Sequence, residues 1–248
     1  MKSQKPSKGF LIVASRTYNF YRYAINLAES IRDYYPEAKI CLVTEEKFCD
    51  GRESVADDLI YCGDGYREKL WALSKTPYDI TMYLDADAEI QHEDICTVFD
   101  QLNNNDMVFV DLTKENEHLF AIRQWEGGEF TLCGGVVLYD MRNPLVKSFM
   151  EDWYKYYQLQ RTREWWPTMN EDGTPNYNLC PEKLHMWDQT TLWALTEKFD
   201  KYKSLKVGIF EDPMRWNYFS SYLKLPKEKQ SKGDPIVFHL SNIAIKGF

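Results

Sequence analysis

The chain predicts an α/β fold, a mostly parallel sheet flanked by helices, on three observations. Apolar runs of strand length alternate with helical patterns through the first half. The composition is 44% hydrophobic over 248 residues, enough to cover both faces of a sheet. No internal repeat, low-complexity tract or long linker interrupts the chain. One domain spanning 1–248 is therefore expected, with a regular half over about 10–111 and a less regular half over about 112–248.

The elements follow in order. Phe10-Leu11-Ile12-Val13-Ala14 reads as a buried strand. Residues 20–34 read as an amphipathic helix with Ile25, Ala28 and Ile31 among its apolar positions, stopping near Pro36. Ile40-Cys41-Leu42-Val43 and Leu59-Ile60-Tyr61-Cys62 are further strands, and residues 66–74 a short helix. The strand from Ile80 ends at Asp85, residues 94–102 are helical, and Met107-Val108-Phe109-Val110 is a strand. In the second half, Gly135-Val136-Val137-Leu138-Tyr139 is a strand entered through two glycines. Residues 144–160 form a long helix whose Pro144 fits its first turn. Residues 161–181 read as an aromatic, Pro- and Gly-containing excursion, 188–199 as a helix, and 207–210 and 236–240 as late strands.

The segment Tyr83-Leu84-Asp85-Ala86-Asp87 carries the first chemistry. At strand period two, the carboxylates of Asp85 and Asp87 project to the same side. In an open α/β sheet, ligands collect beyond the carboxyl ends of the strands. Two hard oxygen ligands there suit Mg²⁺ or Mn²⁺ and, through it, a phosphate-bearing substrate.

Charge and cysteine usage narrow the classes. A net charge of −8 gives no general attraction to nucleic acid or anionic lipid. The apolar run Phe10 to Ala14 is too short for a signal peptide or membrane span. Six cysteines, scattered singly with no C-x-x-C, fit reduced thiols better than disulfides or a zinc site. The expectation is a cytoplasmic protein, in the host cytoplasm if phage-encoded. Aromatic content of 15%, with 17 Tyr and 8 Trp, suggests that some rings remain exposed for stacking on bases or sugars.

Five motifs in order resemble the GT-A glycosyltransferases, most closely the retaining glycogenin-like and lipopolysaccharide galactosyltransferase-like group. They are Glu68-Lys69-Leu70-Trp71-Ala72-Leu73, Tyr83-Leu84-Asp85-Ala86-Asp87, Cys133-Gly134-Gly135-Val136-Val137-Leu138, Trp187-Asp188-Gln189 and Phe238-His239-Leu240. The resemblance spans about Phe10 to Lys246. It implies a metal-dependent transfer of a sugar from a nucleotide diphosphate, a UDP-sugar by analogy, with retention. It implies metal ligation by Asp85, Asp87 and His239, and a catalytic neighbourhood of Asp188, Gln189 and Lys69. It also implies donor contacts from Ala86 and from Gly134 and Gly135, and the two glycines, without side chains, permit close backbone approach to a sugar. Ser15, Arg16 and Tyr18, at the first strand end, stand where the base would lie, and Asp111 is a lesser sugar-side candidate. Cys133 stands where this family carries asparagine. Lys246 matches the diphosphate-binding lysine, although its spacing from His239 is one residue longer than the family pattern and the glycine expected near Asn242 is missing.

For the acceptor, Arg161, Arg163, Trp165 and Trp166 interleave cations and indoles, and Lys227 and Lys229 add charge further on. Such a surface suits extruded or single-stranded bases, as in phage DNA carrying hydroxylated pyrimidines. It equally suits a carbohydrate or protein acceptor, the reading the overall acidity favours. Two other classes bear on the same acids. A haloacid-dehalogenase-type phosphatase also uses D-x-D after a strand, but expects Thr or Val where Glu89 stands. A non-catalytic nucleotide-sugar-binding protein would not be expected to keep the acids, the late histidine and the Asp-Gln pair together.

Overall fold

The structure is a computed structural model that describes residues 5–65, 67–111, 132–219, 227, 231 and 233–240. Its strands are β1 (Lys8–Ala14), β2 (Ile40–Thr44), β3 (Asp58–Tyr61), β4 (Ile80–Asp85), β5 (Ala88–Ile90), β6 (Met107–Asp111), β7 (Leu132–Asp140), β8 (Val207–Ile209), β9 (Tyr218–Phe219) and β10 (Val237–His239). Its α-helices are α1 (Tyr18–Tyr34), α2 (Glu68–Leu73), α3 (Pro144–Thr162), α4 (Asp188–Glu197) and α5 (Pro213–Trp216).

Among the described residues, seven strands form one sheet in the order β3-β2-β1-β4-β7-β6-β8. The neighbours β3/β2, β2/β1, β1/β4 and β6/β8 run parallel, and only β7 runs against β4 and β6. The mostly parallel α/β sheet expected from the alternation is therefore what forms. Strand order departs in opposite directions from β1: β2 lies on one side and β4 on the other. That is the topological switch point at which open α/β sheets leave a crevice.

Helices on both faces explain the unbroken apolar strands. Along β1, Phe10, Ile12 and Ala14 join one core with α1, while Leu11 and Val13 join a second core with α2 and α3. A strand covered on both sides has no face to give to water. Helix α1 is capped by Thr17, whose hydroxyl accepts from the Phe20 amide at 3.3 Å. It buries Tyr21, Ala24, Ile25, Ala28 and Ile31 at helical spacing. Helix α3 starts on Asn143, whose Oδ1 accepts from Leu145 N at 2.9 Å, with Pro144 in the first turn as expected. It ends on Arg163 in a left-handed conformation.

Three features differ from the sequence expectation. Residues 93–102 form a 3₁₀ helix, capped by the His92 ring, which accepts from Asp94 N. The last strand joins neither edge of the main sheet. With β5 and β9 it makes a three-stranded sheet in the order β5-β10-β9. The excursion after α3 is packed rather than open: Trp166, Cys180, Leu184, Trp193 and Ala194 form a third small core. All six cysteines are free. Among the described residues no helix is long and apolar enough to cross a membrane.

Gly9 of β1 faces the ring of Tyr78, so closely that an added Cβ would stand 2.3 Å from Tyr78 Cε2. The ring cannot swing clear, because its hydroxyl donates to Asp58 at 2.9 Å. Gly9→Ala should therefore destabilise the fold by about 1–3 kcal/mol, as overpacking of a filled core does. Urea unfolding monitored by circular dichroism checks it; an unshifted midpoint would mean that the ring yields.

Candidate active site

A cleft of ≈ 400 Å³ opens at the carboxyl ends of β4 and β10 and the start of α4. Asp85, Asp87, Lys69, Gly134, Gly135, Asp188, Gln189 and His239 all line it, with Cys133, Arg67, Met186, Trp187 and Phe219. Eight positions singled out in the sequence thus meet in one place, drawn from β4, α2, β7, α4 and β10.

Backbone pairing does the gathering. Val13 of β1 lies beside Asp85, placing the carboxylate at the switch point. After the turn at Ala86-Asp87, β5 pairs antiparallel with β10, so that Ala88 lies opposite His239, and Leu240 N donates to Asp87 O at 2.8 Å. A ladder of three residue pairs thus brings a distant histidine next to the two acids. Gly135 is required by contact: a Cβ there would stand 2.8 Å from Asp85 Oδ2. Gly134 meets the Trp153 ring of α3 in the same way, at 3.0 Å.

Lys69 is the electrostatic centre. Its ammonium stands 3.1 Å from Asp85 Oδ1 and 3.2 Å from Asp188 Oδ2, and donates to Gly134 O at 3.3 Å. Asp85 Oδ1 also accepts from Tyr83 Oη at 2.5 Å. Burial works to raise both carboxyl pKa values, but the Lys69 charge outweighs it. Asp85 lies below the usual range, and Asp188, also near the Arg67 guanidinium, is held at about 2. Asp87 goes the other way: burial, with the Asp85 charge beside it, raises it against the pull of His239.

His239 is 3% exposed, and burial lowers its pKa despite both acids, which makes it a neutral imidazole at pH 7. Its Nδ1 stands 3.9 Å from Asp87 Oδ1, while the buried Nε2 has no hydrogen-bond partner among the described residues. Phe219 of β9 packs on the ring at 5.0 Å between centroids. Two carboxylates and an orphaned neutral imidazole are the donor set a divalent cation of the Mn²⁺ or Mg²⁺ kind accepts. The fit is one of chemistry: among the described residues, no three His, Cys, Asp or Glu side chains are gathered closely enough to make a ready-formed metal cage.

The remaining predicted positions fall elsewhere. Ala86 is buried in the turn between the acids and does not line the cleft. Ser15 and Arg16 follow β1; Arg16 has a left-handed φ of 74° and donates its amide to Glu45 Oε1. Tyr18 is 44% exposed, but its hydroxyl donates to Asp50 at 2.6 Å and its ring stacks on Tyr21. Asp111 ends β6 beside Leu132, with a buried Oδ1 that has no hydrogen-bond partner among the described residues, and it does not line the cleft. Lys246 and Lys229 lie outside the described residues.

One acceptor candidate needs correction. Trp166 is 1% exposed and its indole N–H donates to Cys180 O at 2.9 Å, so it serves the small core and cannot stack on a ligand. Trp165 is half-buried between Tyr156 and Phe199. Arg161 donates to Gln158 Oε1, and Arg163 pairs with Glu182 at 2.9 Å. No described tryptophan is exposed. Sequence reasoning in turn missed Arg67, Met186 and Phe219. Arg67 was within reach, two residues before Lys69 after a glycine turn, whereas Phe219 sits in a two-residue strand that no periodicity could reveal.

Lys69→Met would remove the cation between Asp85 and Asp188 and leave Arg67 near Asp188 alone. Breaking a buried ion cluster in this way should cost roughly 3–5 kcal/mol near neutral pH. In the native protein the depressed Asp188 pKa stabilises the fold fully above the unfolded carboxyl value and loses that effect as pH falls through about 2. In the variant the carboxyls are raised by burial, so their penalty is greatest at neutral pH and shrinks as they protonate. The stability gap between the two proteins should therefore narrow from pH 7 toward about pH 4. Urea midpoints at both pH values test this, and a gap that stayed constant would assign Lys69 a packing role only.

No protein-family model matches the chain. No curated protein sequence matches it. Solved structures do. The galactosyltransferase LgtC, described in complex with donor and acceptor sugar analogues, aligns over 93% of this chain and 86% of its own, with a TM-score of 0.55 at 15% identity. The glycosyltransferase GlyE of Streptococcus pneumoniae aligns over 94% of this chain, with a TM-score of 0.56 at 14% identity, and here the chain spans about half, 54%, of the matched protein. Mouse xyloside xylosyltransferase 1 aligns over 94% of this chain and 97% of its own, with a TM-score of 0.52 at 12% identity. Alignment over 93–94% of the chain at TM-scores of 0.52–0.56 shows a fold shared with these sugar transferases: the chain has the GT-A fold.

Proposed function

We propose that this protein is a metal-dependent glycosyltransferase that moves a sugar from a nucleotide diphosphate, a UDP-sugar, to an acceptor hydroxyl. The observation that carries the proposal is the convergence of Asp85, Asp87, His239, Lys69, Asp188 and Gln189 on one cleft at the switch point of a GT-A sheet. A divalent cation, Mn²⁺ or Mg²⁺, held by Asp85, Asp87 and His239 would offset the negative charge of the diphosphate as it departs. The protein's own residues do the rest. Gly134 and Gly135 leave the space that the Trp153 ring and Asp85 Oδ2 fill, which seats that carboxylate at the cleft. Lys69 keeps Asp85 and Asp188 ionised at neutral pH, so that both are pure acceptors toward sugar hydroxyls or metal. Asp188 and Gln189, on the first turn of α4, face the transferred sugar.

The reaction breaks the bond between the anomeric carbon and the diphosphate oxygen and forms one between that carbon and the acceptor oxygen. With retention, the acceptor proton passes to the departing phosphate, and no side chain need act as base. The acceptor we favour is a carbohydrate hydroxyl. The buried Trp166 offers no stacking face to a DNA base, and the net charge of −8 works against a DNA acceptor as well.

Two measurements test the metal and donor roles. Asp87→Asn should lower donor turnover about 10²–10³-fold while leaving the fold intact, and EDTA should abolish wild-type turnover until Mn²⁺ is restored. Activity untouched by chelation would refute metal dependence. His239→Ala should weaken Mn²⁺ binding in calorimetry far more than it weakens binding of metal-free UDP. Equal Mn²⁺ affinity in both proteins would make His239 a core residue only.

A further inference from the structure

The segment before α4 supplies Met186, Trp187, Asp188 and Gln189 to the cleft. The turn into the helix is closed by two amides, Trp187 N donating to Leu184 O at 2.9 Å and Thr190 N to Trp187 O at 3.2 Å. The backbone carbonyls of residues 184–188 also face α3, where each meets a side-chain donor. Trp153 Nε1 donates to Asp188 O at 3.0 Å, and Tyr157 Oη to Met186 O at 3.1 Å. The Gln160 carboxamide donates to Trp187 O at 2.8 Å and His185 O at 3.1 Å, with Leu184 O at 3.4 Å. Trp153, Tyr157 and Gln160 are spaced by four and three residues, on one stripe of α3, and each is fully buried.

Gln160 is the most specific of the three. A buried carboxamide with both ends used has one correct orientation. Thr191, in α4 itself, fixes it: its hydroxyl donates to Gln160 Oε1 at 2.8 Å, which leaves Nε2 to face oxygens that can only accept. One side chain thus ties the loop before α4 to the first turn of α4 and holds the catalytic pair between them. Apolar side chains of similar volume would fill the same space but would take the side-chain donors from His185 O and Met186 O and leave Trp187 O with the Thr190 amide at 3.2 Å. None of the three α3 residues lines the cleft.

We propose that Gln160 is a positioning residue that sets Asp188 and Gln189 against the transferred sugar by gripping the carbonyls of residues 185 and 187. The inference rests on the transferase reading for its kinetic consequence, but not for its structural one. It predicts a division of effects, because the diphosphate and metal contacts come from β4, β7 and β10, which Gln160 does not touch.

The test compares wild type with Gln160→Met, which keeps the volume and removes the donors, and with Thr191→Val, which keeps the carboxamide and releases its orientation. Donor hydrolysis should fall about 10–100-fold in kcat for Gln160→Met and less for Thr191→Val. The affinity for UDP with Mn²⁺ measured by calorimetry should stay within about twofold, since the diphosphate and metal contacts are untouched. Backbone amides of residues 184–191 should exchange hydrogen faster in both variants, with the central sheet unchanged. Unaltered kcat in a folded variant, or kcat and UDP affinity falling in parallel, would overturn the proposal. If Gln160→Met fails to fold, Thr191→Val gives the same comparison. If wild type turns over no nucleotide sugar, the transferase reading fails, and hydrogen exchange alone decides: faster exchange confined to 184–191 upholds the positioning role, and unchanged exchange ends it.

Discussion

The ammonium of Lys69 is the contact on which the cleft depends. It comes from α2, and it touches the end of β4 through Asp85, β7 through the Gly134 carbonyl and the start of α4 through Asp188. Four elements far apart in the chain converge on one charge. Two carboxylates on opposite sides of a small cleft would repel and would tend to protonate. With the cation between them they stay ionised in a largely buried setting. The backbone accommodates this in turn, since Gly135 leaves the space that Asp85 Oδ2 occupies.

A second layer of constraint lies behind the charges. On the far side of α4, α3 supplies donors to a run of buried carbonyls, and Trp153 links the two layers: its ring covers Gly134 while its indole N–H holds Asp188 O. Loops at the ends of strands carry the chemistry, and packed helices hold the loops. The cleft edge around His239 is built differently, from short strands of a separate three-stranded sheet, with Phe219 packed on the imidazole. Burial keeps that imidazole neutral, and among the described residues one of its nitrogens has no partner.

The segment after α3 shows how composition misleads. Cations interleaved with indoles read as a binding surface, yet Trp166 fills a small core with Leu184 and Trp193, and Arg163 closes an ion pair with Glu182. A large aromatic contributes more by burial than by waiting for a ligand. Whether an indole is inside or outside depends on partners distant in sequence, here Cys180 and the face of α4.

The main sheet was legible because its strands announce themselves: Phe10 to Ala14, Ile40 to Val43 and Met107 to Val110 are continuous apolar runs, and α1 and α3 carry helical periodicity with clear ends at Pro36 and Pro144. The acids after β4, the glycine pair and the Asp-Gln pair were legible as local patterns tied to a strand or helix end. What sequence alone could not give was anything resting on pairing between remote segments. The reversal of β7, the β5–β10 ladder that sets His239 opposite Ala88, the two-residue strand bearing Phe219 and the grip of Gln160 on residues 185 and 187 are such cases. The physical reason is common to all of them. Period and propensity are properties of neighbouring residues, whereas burial, ion pairing and hydrogen-bond satisfaction are properties of surfaces that meet only after the chain has folded. The chain by itself determined which side chains were available at the strand ends; the tertiary structure decided which of them share one cleft, and which are consumed in holding it together.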